Sequence, residues 1–98
     1  MNAELVLKDR IKISEKSFVE IAIWKVPMPL RGSFHQFKYR LAFVKDEACL
    51  LRYDNEAGKG DHKHLRKREF EYRFSNLETL YLDFWNDVER LNNENTDS

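Results

Sequence analysis

Only one cysteine, Cys49, stands among the 98 residues, so no disulfide can form within the chain and nothing calls for an oxidising compartment. A lone thiol of this kind is expected to act as a small buried apolar residue. No stretch approaches the roughly 20 apolar residues of a membrane span, and no signal-peptide core opens the sequence. A cytoplasmic, soluble protein is the expectation. Repeats, low-complexity tracts and linkers are also lacking, which predicts one domain over residues 1–92 and a frayed polar tail over 93–98. Net charge is missing too, but the zero hides an asymmetry. Residues 1–68 carry 15 Lys and Arg against 9 Asp and Glu, a balance of +6, while residues 69–98 carry 2 against 8, a balance of −6. A neutral total therefore does not exclude an anionic partner; what matters is which basic residues share a face.

Aromatic residues are plentiful. Seven Phe, four Tyr and two Trp can build a core without disulfide or metal staples. The core stays modest, because a chain of this size buries only about 65% of its unfolded surface. The first two thirds read as strands. Leu5, Leu7, Ile11 and Ile13 oppose Lys8, Arg10 and Lys12. After a turn at Ser14–Ser17, Val19, Ile21 and Ile23 alternate with Phe18, Ala22 and Trp24, a strand apolar on both faces and so expected to be central. Pro27, Pro29 and Gly32 mark a loop. Phe37, Tyr39, Leu41 and Phe43 form the third strand, Lys45-Asp46-Glu47 a turn, and residues 48–53 the fourth strand. A polar loop follows, and Phe70, Tyr72 and Phe74 alternate with Glu69, Glu71 and Arg73 in a fifth.

The last element reads as a helix. Ser75 and Glu78 have the spacing of a capping box, and Leu77, Leu80, Tyr81, Phe84, Trp85, Val88 and Leu91 recur at helical intervals. That stripe is expected to pack on one sheet face. The fold class is α+β: an antiparallel meander of about five strands against one C-terminal helix.

Chemistry concentrates between Arg52 and His64. The segment holds two of the three glycines, two of the three histidines, and Lys59 beside Asp54 and Asp61. Gly58 and Gly60 permit close backbone approach, His62 and His64 can exchange protons near neutral pH, and the cations suit phosphate. Three readings stay open. A nuclease needs no metal if one of His62 and His64 takes the 2′-hydroxyl proton, the other His or Asp61 protonates or orients the leaving group, Lys59 and Arg52 hold transition-state charge, and Asp54 helps to orient. A metal site would use Asp61, His62 and His64 for Mn²⁺ or Zn²⁺, with Asp54 nearby. The bland alternative is a solvated loop, with an Asx-turn at Asp54-Asn55 and a wet basic run. RNA contacts are expected from Arg40, Arg52, Asn55, Lys63, Arg66, Lys67 and Arg68. His35 reads as an incidental loop histidine.

Arg52-Tyr53-Asp54-Asn55, followed by Gly58, Gly60, Asp61, His62 and His64, resembles the TumE-type toxins of bacterial and archaeal toxin–antitoxin pairs. The likeness extends to the opening Ala3–Arg10, to Phe18–Ile21 with Trp24 and Pro27, to His35 with Lys38–Leu41, and to Phe84-Trp85 with Asp87-Val88. It implies a growth-inhibiting toxin that acts on RNA and is neutralised by a helix-turn-helix antitoxin. It also implies a functional loop of Asp54, Asn55, Lys59, Asp61, His62 and His64. On this reading the two imidazoles and the Lys59 ammonium converge on one pocket, no cofactor is required, and a divalent metal is the alternative. A binding-only toxin remains the reading from another class.

Overall fold

The computed structural model describes residues 3–96. Its elements are β1 (Glu4–Ser14), β2 (Ser17–Lys25), β3 (Phe37–Lys45), β4 (Ala48–Glu56), β5 (Gly60–Leu65), β6 (Arg68–Glu71) and α1 (Leu77–Thr96). Strands pair in chain order, each antiparallel to the last, so the sheet is a meander. The expected α+β class and single C-terminal helix are what forms. The sheet has six strands, one more than the pattern suggested.

The extra strand comes from the segment read as a polar loop. β4 runs on to Glu56, and Gly60–Leu65 returns beside it after a three-residue turn. Period-2 hydrophobicity could not reveal β5, because both of its faces are largely polar. Asp61 and Lys63 point to the core side and find side-chain partners there, while His62 and His64 point away. β6 stops at Glu71, and Tyr72 and Phe74 extend beyond it with their rings still packed on the core.

One sheet face is covered. Val19, Ile21 and Ile23 of β2, Tyr39, Leu41 and Phe43 of β3, and Leu51 and Tyr53 of β4 meet Leu80, Phe84, Val88 and Leu91 of α1. Those helix positions recur every three or four residues and make one stripe. Asn76, not Ser75, caps the helix: its Oδ1 accepts from the Thr79 N–H at 2.7 Å. The helix continues to Thr96, through most of the segment expected to fray; residues 97 and 98 lie outside the described part. Cys49, expected to be buried, is exposed, because it faces Val44 on the uncovered side of the sheet. Trp24 also lies on that side, half-buried between Leu5 and Lys38 rather than in the core.

Candidate functional site

The uncovered face is ordered by strand register. One cross-strand row runs Lys8, Ala22, Arg40, Asp54, His62, Glu71 from β1 to β6. The next runs Arg10, Glu20, Ala42, Arg52, His64, Glu69. Ala22 and Ala42 are small, so the centre of the face is shallow and the longer basic side chains flank it. Cross-strand neighbours stand about 5 Å apart, and alternate residues of one strand about 7 Å. His62 and His64 therefore project side by side, with Asp54 and Arg52 as their neighbours on β4.

The histidine environments differ in a way that assigns one proton. His62 Nδ1 is 3.2 Å from the Gly60 carbonyl oxygen. A carbonyl only accepts, so Nδ1 carries the hydrogen, and in the neutral ring Nε2 keeps its lone pair. The nearest acidic oxygen to that nitrogen, Glu69 Oε1, is 3.6 Å away, beyond hydrogen-bond distance. His64 has Asp54 Oδ1 at 3.9 Å from Nε2 and Glu69 Oε2 at 4.0 Å from Nδ1. Both rings are partly accessible, at 17% and 25% of their full exposure. Arg52 Nε lies 3.0 Å from Asp54 Oδ2, an ion pair without an aligned hydrogen bond.

Asp61 belongs to a different cluster. Its carboxylate accepts from Ser33 Oγ at 2.6 Å and Tyr39 Oη at 2.7 Å, and His35 Nε2 stands 2.6 Å away. His35 Nδ1 accepts the Phe37 N–H at 3.2 Å, so its hydrogen sits on Nε2 and points at Asp61. Phe74 stacks on the His35 ring with centroids 3.7 Å apart. The Tyr39 hydroxyl keeps its proton well above the ordinary tyrosine range, first through burial and then through its bond to Asp61. Asp61 thus ties the β2–β3 connection to the β4–β5 hairpin. Gly32 and Gly60 complete the tie: an added Cβ on Gly60 would stand 2.7 Å from the Gly32 carbonyl oxygen, and Gly60 has φ +78°. Beside this cluster opens a cleft of about 530 Å³, lined by Lys59, Asp61, His35, Glu71, Arg73 and Phe34 among others.

The expected convergence therefore divides in two. His62 and His64 share a face with Asp54, Arg52 and Arg40. Lys59 lies at the hairpin turn and lines the cleft instead, and Asp61 points away from both imidazoles because adjacent strand residues face opposite ways. Asp61, His62 and His64 consequently do not surround a common point, and no group of three or more His, Cys, Asp or Glu among the described residues is placed to hold a metal ion. Asn55, expected among the RNA contacts, is only 2% exposed; its amide accepts the Tyr39 N–H and donates to the Phe37 carbonyl, which braces β3 against β4. The basic run forms no single track. Lys63 turns to the helix and pairs with Asp87 at 2.6 Å, Arg66 lies 3.7 Å from Glu94, Arg68 covers the Phe70 ring, and Lys67 sits exposed in the turn.

Two residues of these clusters, Glu69 and Arg10, escaped the sequence reading, and a third, His35, was read as incidental. Arg66-Lys67 is a two-residue turn, with Arg66 at φ +55°, and it folds Glu69 back opposite His64. A signal existed, since Glu69 and Glu71 repeat the spacing of His62 and His64. Arg10 lies on the open face with its guanidinium 4.0 Å from the centre of the Phe18 ring. His35 gave no local sign, because its partner Asp61 is 26 residues away.

A family model described as Toxin TumE matches residues 2–92, and the chain belongs to that family. No curated protein and no solved structure matches it. No helix among the described residues is long and apolar enough to cross a membrane.

Proposed function

For a member of the TumE toxin family, we propose an endoribonuclease toxin that cleaves RNA through the 2′-hydroxyl, with His62 and His64 as its proton-transfer pair. The carrying observation is the pair itself: two accessible imidazoles side by side on an open face, one with its Nε2 lone pair unblocked. His62 Nε2 takes the 2′-hydroxyl proton as the 2′-oxygen attacks phosphorus. The bond from phosphorus to the 5′-oxygen breaks, and His64 gives that oxygen its proton. The products are a 2′,3′-cyclic phosphate and a free 5′-hydroxyl. Asp54 and Glu69 face the two nitrogens of His64, where positive charge resides in the protonated ring. Asp54 also holds Arg52, whose outer nitrogens meet the phosphoryl oxygens as charge gathers on them. Arg40, opposite Asp54 on β3, extends the phosphate contact across the sheet. No step requires a metal.

The same face suits an antitoxin. An acidic segment of a helix-turn-helix partner laid over Arg10, Arg40 and Arg52 would hide both imidazoles, and charge complementarity would speed its capture.

The test is a defined RNA beside the same strand carrying a 2′-deoxy sugar at the scissile position. Cleavage of the first to a cyclic phosphate in the presence of EDTA, with the second intact, is the expected result. Cleavage that requires added Mn²⁺ or Zn²⁺ replaces this mechanism with a metal-dependent one. A second reading, a toxin that binds RNA or protein without cutting, draws on Glu69 standing opposite both rings as an ordinary ion-pair partner. It predicts that His62→Gln with His64→Gln keeps full toxicity.

A further inference from the structure

Phe34 is 100% exposed, although both of its neighbours are anchored. Ser33 Oγ and His35 Nε2 bind the two oxygens of one carboxylate, Asp61, at 2.6 Å each. The Gly58 N–H donates to the Arg31 carbonyl at 2.6 Å and holds the loop just upstream. With the flanking residues fixed to the hairpin, the backbone at residue 34 is held in place, and a fully exposed aromatic ring stands at the edge of the cleft. A ring carried on an anchored backbone loses less on binding a flat partner than one on a loose loop. Lys59 and Arg73 line the same cleft, and neither is ion-paired among the described residues. Of the two carboxylates that line the cleft, Asp61 is already engaged by three side chains, and Glu71 is exposed to solvent.

We infer that this cleft is a subsite for one unpaired nucleotide of an RNA strand, with its base stacked on Phe34 and its phosphate held by Lys59 and Arg73. An exposed aromatic ring on a cleft that also holds unpaired cations is the arrangement that single-stranded nucleic acid binds. An apolar protein segment would call for a greasier lining than one with Lys59, Glu71 and Arg73. Position supports the same ligand. Glu71 lines the cleft and is also the cross-strand partner of His62, so a strand crossing the imidazoles meets the cleft at the next step. The inference rests on the RNA reading of the neighbouring face, and it makes Phe34 a determinant of which nucleotide flanks the cut.

Binding is measured by fluorescence anisotropy with a labelled single-stranded RNA that is 2′-O-methylated throughout and cannot be cut. Phe34→Ala should weaken binding about 5- to 100-fold, whereas Phe34→Trp should stay within about threefold of wild type. Lys59→Ala with Arg73→Ala should reduce the slope of log K against log salt by about 1.4, the amount for two lost phosphate contacts on a single strand. The melting midpoint of Phe34→Ala should match wild type, since the ring touches nothing that holds the fold. A parallel assay on cleavable RNA separates the two proposals. RNA binding that depends on Phe34 without any cleavage keeps the subsite and removes the catalytic reading. Cleavage by Phe34→Ala with unchanged KM and unchanged RNA affinity overturns the subsite alone. Loss of antitoxin capture with RNA affinity intact overturns it as well, and assigns the cleft to protein.

Discussion

Asp61→Ala removes one small group and releases three donors at once. Ser33, Tyr39 and His35 all direct hydrogens to this carboxylate, whose side chain is only 8% exposed. A hydrogen bond to a charged group contributes about 1.5–3 kcal/mol, and a buried donor left without a partner costs about 1–3 kcal/mol. The three contributions do not add, because the freed loop lets Ser33 and His35 find water, whereas the Tyr39 hydroxyl, in a residue 1% exposed, cannot. The net loss is therefore set near the range for breaking a buried charged contact, about 3–5 kcal/mol. For a domain of this size, each kcal/mol moves the melting midpoint about 4–8 °C, so a fall of roughly 12–40 °C is expected. Thermal melts by circular dichroism, with urea titration for the free energy, read the effect. Tyr39→Phe, which removes a single donor to the carboxylate, should cost about 1.5–3 kcal/mol. If Asp61→Ala melts within about 4 °C of wild type, Asp61 is not the clamp described here, and the anchoring of Phe34 loses its basis.

Three further outcomes follow from the geometry. Tyr39, Tyr53 and Tyr72 are pushed above the ordinary tyrosine range by burial and by their bonds to Asp61, Asp87 and Asp83. Above pH 10 the unfolded chain releases these protons and the folded chain keeps them, so stability is full below pH 10 and falls as pH rises. The slope should be about 1.4 kcal/mol per pH unit for each of Tyr39 and Tyr53 and less for the more exposed Tyr72; urea titrations at pH 9, 10 and 11 test it, and Tyr39→Phe should flatten it by one proton. Gly60→Ala forces a Cβ to 2.7 Å from the Gly32 oxygen at φ +78°, which should cost about 2–3 kcal/mol by urea titration; a neutral result would mean the two glycines do not touch. Cys49 should react with Ellman's reagent in the native protein at a rate close to that of the unfolded chain, because its side chain is exposed.

The sequence and the structure part company at identifiable residues. β1 to β4 and α1 were legible because each buries one apolar side, and period-2 or helical spacing records that burial directly. β5 was not, because its inward residues Asp61 and Lys63 are stabilised by Tyr39, His35 and Asp87 rather than by apolar contact. Polar pairs of that kind leave no periodic trace. The site divided the same way. His62 and His64 share a face on the sequence's own spacing, but placing Lys59 and Asp61 elsewhere required knowing that the segment is a hairpin. The basic run misled for a related reason: a turn at Arg66-Lys67 hides within it, and alternate residues then leave on opposite sides. His35 depends wholly on tertiary contact and could not have been found from its neighbours.

The decisive measurement is the single-turnover rate of RNA cleavage by wild type, His62→Ala and His64→Ala, with a melting curve recorded for each. Each substitution should slow cleavage by about 10²- to 10⁴-fold while the midpoint moves by only a few degrees, since neither ring lies in the core. Cleavage within threefold of wild type by both variants would show that the imidazoles of β5 do not move the protons.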